Sequence, residues 1–392
     1  MSNLSCDPSP RPLKQGRRGQ IPPFIVMDVL REANRLAADG ADILHLEVGQ
    51  PSTGAPAGVV EAARRLLGAS PLGYTDALGL PVLRERIARH YREFYGEAVD
   101  PARIAVTVGA SGAFILAFLA AFDAGDRVAL AAPSYPAYRH ILRALDIEAV
   151  ELPANAEHRF QPTIELLEKV EGRLDGLIVA SPSNPAGTML TAAELAELAR
   201  YCERRGIRLI SDEIYHGITY GTAAATAAAF DPRAVVINSF SKYFSMTGWR
   251  LGWMVVPPDL VRAVECLAQN MVISAPTLSQ AAAVAAFDCH EELQANLARY
   301  AANRACLLEA LPRAGFTDFA PAEGAFYLYA DVRGLTDDSR EFSRRMLREI
   351  GVAAAPGCDF DPRRGHHYLR FSFAGTTETM TAAAERLIRW RP

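Results

Sequence analysis

Ala234-Val235-Val236-Ile237-Asn238 runs directly into Ser239-Phe240-Ser241-Lys242, an apolar stretch followed by hydroxyls and a single lysine. A short, near-continuous apolar run of this kind reads as a strand buried on both faces. Such strands belong to parallel sheets covered by helices. Working outward, the same pattern recurs. Ile207–Ser211 ends at Asp212, and Gly176–Ala180 ends at Ser181-Pro182-Ser183-Asn184-Pro185. Arg127–Ala132 ends at Pro133-Ser134-Tyr135, and Ile104–Val108 at Gly109-Ala110-Ser111-Gly112-Ala113. Helical periods separate these strands: Val82–Tyr95, the apolar Phe114–Phe122, and Thr191–Arg205. The last opens on a Thr191 cap with Glu194 three residues on, a capping box. From Glu291 onward the pattern changes to long charged helices and one alternating strand, Phe326–Asp331, which reads as a second, smaller domain. The expected fold is α/β, a mostly parallel sheet with helices on both faces.

Composition narrows the function classes. The chain has 392 residues, 22% charged and 50% hydrophobic, as in ordinary globular proteins with a large core. A formal net charge of −4 provides no basic field for nucleic acid or anionic lipid. No stretch approaches the roughly 18 uncharged apolar residues of a membrane span. The six cysteines (6, 202, 266, 289, 306 and 358) are scattered without a C-x-x-C pair. That fits reduced thiols in a cytoplasm and argues against zinc. Residues 1–20 are basic and proline-rich but lack the apolar core of a signal peptide. The expected location is cytoplasmic, with no nucleic-acid or membrane partner.

The strand ends carry the chemistry. In open α/β sheets, ligands sit beyond the carboxyl ends of the strands. Here those ends deliver Ser111, Tyr135, Asn184, Asp212 and Ser239–Lys242 to one edge. A lysine shielded from water loses its preference for the ammonium form and becomes a neutral amine that can attack a carbonyl. Ser239–Lys242 also fits S-x-x-K, but that motif's partners, S-D-N and K-T-G, are missing; Ser211-Asp212 is followed by Glu213. Gly109–Ala113 is a turn of small residues able to offer amides and a hydroxyl to a phosphate. An aldehyde cofactor with a pyridine ring and a phosphate needs a lysine for its aldehyde and a carboxylate for its ring nitrogen. It also needs an aromatic face, donors to the ring oxygen, and hydroxyls with an arginine for the phosphate. All these residue types occur at the strand ends.

The order and spacing of further motifs extend this reading. Val48-Gly49-Gln50-Pro51, Gly73-Tyr74-Thr75, Ser183–Gly187, Ser211–Tyr215, Ser239–Lys242, Met246–Arg250 and Tyr368–Ser372 together resemble the class I aminotransferases. These are pyridoxal-phosphate enzymes of the aspartate aminotransferase fold (fold type I), and the likeness runs from about Ile21 to the end. The resemblance implies a large cofactor-binding domain at 46–289. It implies a discontinuous small α+β domain of 1–45 and 290–392, with 1–20 a mobile arm. It implies that Lys242 bonds the pyridoxal 5'-phosphate aldehyde and then moves the substrate's α-proton, and that Asp212 pairs with the ring nitrogen. Tyr215 and Asn184 would bond the ring oxygen, and Tyr135 would stack on the ring where many relatives carry tryptophan. The Ala110 and Ser111 amides, the Ser111, Ser239 and Ser241 hydroxyls and Arg250 would hold the phosphate. Arg370 would grip the substrate α-carboxylate, with Gly49 allowing the backbone close to it. Tyr74 would reach the partner subunit's phosphate in a homodimer with shared active sites. The implied activity is ping-pong transfer of an amino group between an L-amino acid and a 2-oxo acid, with no metal.

Other residues read as structural: His216 as packed, His366-His367 as an exposed turn, Cys358 as small filler, and Trp249 and Trp253 as flanking a buried strand. Same-fold carbon–sulfur lyases would share Lys242, Asp212 and Arg370. A transcription regulator of this fold would need an N-terminal DNA-binding domain, for which about twenty residues leave no room. Relatives specific for aspartate hold its distal carboxylate with an arginine in a segment like Gln269–Gln280. Between Arg262 and Arg299 this chain has no arginine or lysine, and Ser111-Gly112 occupies a turn where other relatives place a lysine. Burying an unpaired carboxylate costs several kcal/mol. A broad or neutral-side-chain aminotransferase is therefore expected, with alanine, aromatic or aliphatic donors and 2-oxoglutarate as an acceptor candidate. Aspartate aminotransferase proper is the alternative, and it would need another cation such as Arg17 or Arg18.

Overall fold

The computed structural model describes residues 13–391; the expected contributions of residues 1–12, including Cys6 and most of the arm, lie outside that range. Val235–Ser239, the strand before Lys242, is buried at every position. Its side chains alternate between two cores. Val235 and Ile237 pack with Phe114 and Phe118 on one face, while Val236 joins Phe240 and Trp253 on the other. Each fully buried Val or Ile contributes about 1.5–3 kcal/mol, so two-sided burial commits the strand to the sheet centre.

The central sheet has seven strands. Their spatial order is Ile104–Thr107, Gly252–Val255, Val235–Ser239, Arg208–Asp212, Gly176–Ala180, Arg127–Ala131 and Glu148–Leu152. All neighbours run parallel except Gly252–Val255, which is antiparallel to both strands beside it. A Cβ at Gly252 would lie 2.8 Å from the Gly109 carbonyl carbon and 2.9 Å from the Ala110 nitrogen. Only glycine there lets the start of the helix that follows Ile104–Thr107 rest on the sheet.

That helix, Gly109–Ala121, begins five residues before the expected Phe114. Gly109, Ala110 and Ser111 are therefore its first turn, with amides free of intrahelical partners, and not a loop ahead of it. The edge strand Glu148–Leu152 was not expected. Its sequence, with two glutamates, lacks the apolar continuity of the inner strands because only one flank is covered. Thr191 caps Ala192–Arg205 with both halves of the capping box in place.

Two small sheets lie outside this layer. Leu44–His45 pairs in parallel with Val352–Ala353. Tyr368–Ser372 lies antiparallel between Ala355–Pro356 and Tyr327–Asp331. The 24-residue helix His290–Arg313 packs against Thr377–Arg389. These pairings bring the chain's early and late segments together beside the carboxyl edge of the central sheet.

Candidate active site

At that edge the strand ends enclose a cavity of about 210 Å³. Its wall holds Gly49, Ala110, Ser111, Tyr135, Asn184, Asp212, Tyr215, Ser241, Lys242, Arg250 and Arg370. Two expected site residues lie elsewhere. Ser239 points inward, its hydroxyl oxygen 3.1 Å from the Leu251 carbonyl, and it accepts the Ser241 amide at 3.1 Å. It shapes the turn that presents Ser241. Tyr74 is 84% exposed and so is not the buried tyrosine its place before a helix would otherwise allow.

Lys242 follows the central strand by one turn. Its ammonium donates to the Gly49 carbonyl at 2.6 Å. Burial lowers its pKa to about 8, helped by the positive charges of Arg370 and Arg250 and opposed by Asp212. Gly49 also has a steric reason to be glycine, because a Cβ there would fall 1.7 Å from the Tyr327 hydroxyl. That hydroxyl lies 2.7 Å from the Tyr215 hydroxyl.

Asp212 closes its strand and is 4% exposed. One carboxylate oxygen accepts the Ile214 amide at 3.1 Å, and the other accepts the Tyr138 hydroxyl. Burial raises its pKa to about 6 against the pull of those donors and of Lys242. Arg370 is 2% exposed, its guanidinium sandwiched between the rings of Tyr327 at 4.3 Å and Phe360 at 4.7 Å. It donates to Asn184 Oδ1 at 2.8 Å and to the Glu47 carbonyl, while its buried Nε has no partner. A buried cation with a free donor is prepared for an incoming anion. Arg250 stands exposed at the rim and donates to the Thr247 carbonyl at 3.0 Å.

Several wall residues went unread in the sequence. Tyr138 lies three residues after Tyr135, in the first turn of Pro136–Ala144, a spacing that could have flagged it. Tyr327 is the first residue of its strand. Phe24, Val26, Met27 and Val48 give the cavity an apolar side, and nothing in their local sequence marks it. His216 is packed as expected, bonded to Ser181 O at 2.9 Å and to the Tyr95 hydroxyl at 2.7 Å. Burial drives its pKa down to about 3. Glu213 turns away from the cavity and accepts the Ser211 hydroxyl and the Ala227 amide. Arg18 pairs with Asp146 at 2.8 Å, and neither it nor Arg17 lines the cavity.

Comparisons with known proteins agree on the family. A model of the family "Aminotransferase class I and II" matches residues 41–387. The chain is 49% identical to a valine–pyruvate aminotransferase of Mycobacterium tuberculosis over 96% of its own length and 98% of the relative's. It is 34% identical to an aspartate aminotransferase of Thermotoga maritima, covering 95% and 97%. A crystal structure of an aminotransferase from Mycobacterium tuberculosis superposes with a TM-score of 0.95 at 48% identity, covering 97% of this chain and 99% of that one. The chain is a pyridoxal-phosphate-dependent class I aminotransferase of the aspartate aminotransferase family.

Proposed function

We propose that this enzyme transfers amino groups between neutral aliphatic amino acids, valine and alanine foremost, and small 2-oxo acids such as pyruvate. The charge count of the cavity carries the reading. Among the described residues its wall contains three cations, Lys242, Arg250 and Arg370, and one carboxylate, Asp212. When bound, pyridoxal phosphate supplies an aldehyde for the amino group and a protonated ring that withdraws electrons from the substrate's α-carbon.

The wall fits that cofactor. The first turn of Gly109–Ala121, with the Ser111 and Ser241 hydroxyls and Arg250, suits the phosphate; Ser239 acts through Ser241. Asp212 suits the ring nitrogen, Tyr215 and Asn184 the ring oxygen, and Tyr135 a ring face. Lys242, with a pKa near 8, takes the α-proton as neutral amine and returns it as ammonium. The free Nε of Arg370 meets the substrate carboxylate beside Gly49 and Asn184. With each cation thus engaged, the side chain meets Phe24, Val26, Met27 and Val48, and among the described wall residues of this chain no charge remains for a second carboxylate. The name of the Mycobacterium tuberculosis relative supports the same substrate class.

Steady-state comparison of donors tests this. Valine and alanine should exceed aspartate in kcat/KM by about a hundredfold or more, since burying an unpaired carboxylate costs several kcal/mol. A preference for aspartate over valine and alanine would overturn the reading.

A homodimer with shared sites belongs to the same proposal. Thr277 donates to the Gly73 carbonyl at 2.6 Å, setting Tyr74 close to the segment that carries exposed Met271 and Ile273. An exposed apolar group of this kind supports a subunit contact, with Tyr74 reaching the partner's phosphate. Light scattering should give twice the chain mass, and a fully active monomer would refute it. A division into 46–289 and 1–45 with 290–392 is supported by the Leu44–Val352 pairing, and native-state proteolysis reports on it. Cytoplasmic residence, supported by the free cysteines, is decided by cell fractionation.

A further inference from the structure

The apolar side of the cavity is mounted on the first turn of helix Ile25–Ala38, and that turn has no cap of its own. Pro22-Pro23-Phe24 precedes it, and Phe24 at the N-cap makes no side-chain bond to the helix. The missing acceptor arrives from the other end of the chain. Asp359 Oδ1 accepts the Ile25 amide at 3.2 Å, and Oδ2 accepts the Val26 amide at 2.9 Å. Asp359 is 1% exposed, in the turn Gly357–Asp359.

The same loop is tied to both sides of the site. The Asp359 carbonyl accepts Arg139, and the Phe360 carbonyl accepts the Ser134 amide at 3.1 Å. The Phe360 ring lies under the Arg370 guanidinium. On the helix side, Phe24 meets Tyr135 edge-to-face at 5.8 Å, and Val26 packs in one cluster with Phe360. The other polar tie of this segment, Arg18 to Asp146, is an exposed ion pair and holds little. One loop therefore carries both the ring beneath the carboxylate-gripping arginine and the cap of the apolar wall.

We propose that Asp359 is a positioning residue for the substrate side chain: by capping the first turn of Ile25–Ala38 it holds Phe24, Val26 and Met27 at a fixed distance from Arg370. A branched aliphatic side chain then reaches the wall while its carboxylate is held, whereas the methyl of alanine falls short. The proposal rests on the neutral-side-chain reading above.

Donor kinetics of holoenzyme carrying Asp359→Ala and Asp359→Asn test it, together with amide hydrogen exchange over residues 25–29. In Asp359→Ala, kcat/KM for valine should fall about tenfold, chiefly through KM, roughly the loss of one buried cap. Alanine should change by less than about twofold. Asp359→Asn keeps one acceptor oxygen and should recover part of the valine loss. Exchange at the first turn should accelerate in Asp359→Ala. An unchanged valine-to-alanine ratio in both variants, or a wild type with no preference for valine over alanine, would overturn the role of Asp359 alone. A wild type preferring aspartate would instead remove the underlying substrate reading, before any variant is compared.

Discussion

Lys242→Ala protein will transaminate at less than about one-thousandth of the wild-type rate while remaining folded. Positioned proton transfer alone accounts for about 10²–10⁴-fold, and Lys242 also makes the bond to the cofactor aldehyde. No neighbour can take over: the other two cations of the wall are arginines, which stay protonated and cannot act as bases. Arg370 is already committed to Asn184 and the Glu47 carbonyl. The pKa near 8 arises where burial and two positive charges outweigh Asp212. Attachment of pyridoxal phosphate to wild-type apoprotein should therefore accelerate as pH rises through about 8.

Asp212→Ala will retain cofactor yet lose activity by about a hundredfold or more. Asp212 is the single carboxylate among the described wall residues, so its removal leaves nothing to keep the ring nitrogen protonated. Asp212→Asn preserves shape without charge and should be similarly impaired. A second readout is independent of turnover. Burial raises the Asp212 pKa from 3.8 to about 6, so between those values the folded apoprotein binds more protons than the unfolded chain. Its stability therefore falls as pH rises through that window. Above pH 6, apo Asp212→Asn should melt higher than apo wild type. Near-wild-type turnover in either variant would remove the pyridinium role.

What was legible in the sequence was local. The Thr191 capping box needs only residues three apart, and Val235–Ser239 announces its two-sided burial by composition. Chemistry-bearing residues followed directly after such strands, so Asp212, Asn184 and Lys242 could be placed from strand ends alone. Glu148–Leu152 escaped because an edge strand tolerates charge. Helix Gly109–Ala121 was read to start late because small residues resemble a loop until they pack on Gly252. Tyr138, Tyr327 and Asp359 were missed for a different reason. Their partners lie 74, 112 and more than 330 residues away in sequence, and no periodicity reports contacts at that range. The apolar wall was foreseen only as a missing cation, since absence of charge can be counted in a sequence while the side chains that replace it cannot.

The most direct test of the account is a single half-reaction followed by absorbance in wild type and Lys242→Ala. Valine alone should convert wild-type enzyme from its aldehyde to its amine spectrum and stop after one equivalent. Pyruvate should then restore the starting spectrum, and Lys242→Ala should do neither at a comparable rate. Continuous release of ammonia from one amino acid, or an unimpaired half-reaction without Lys242, would contradict it.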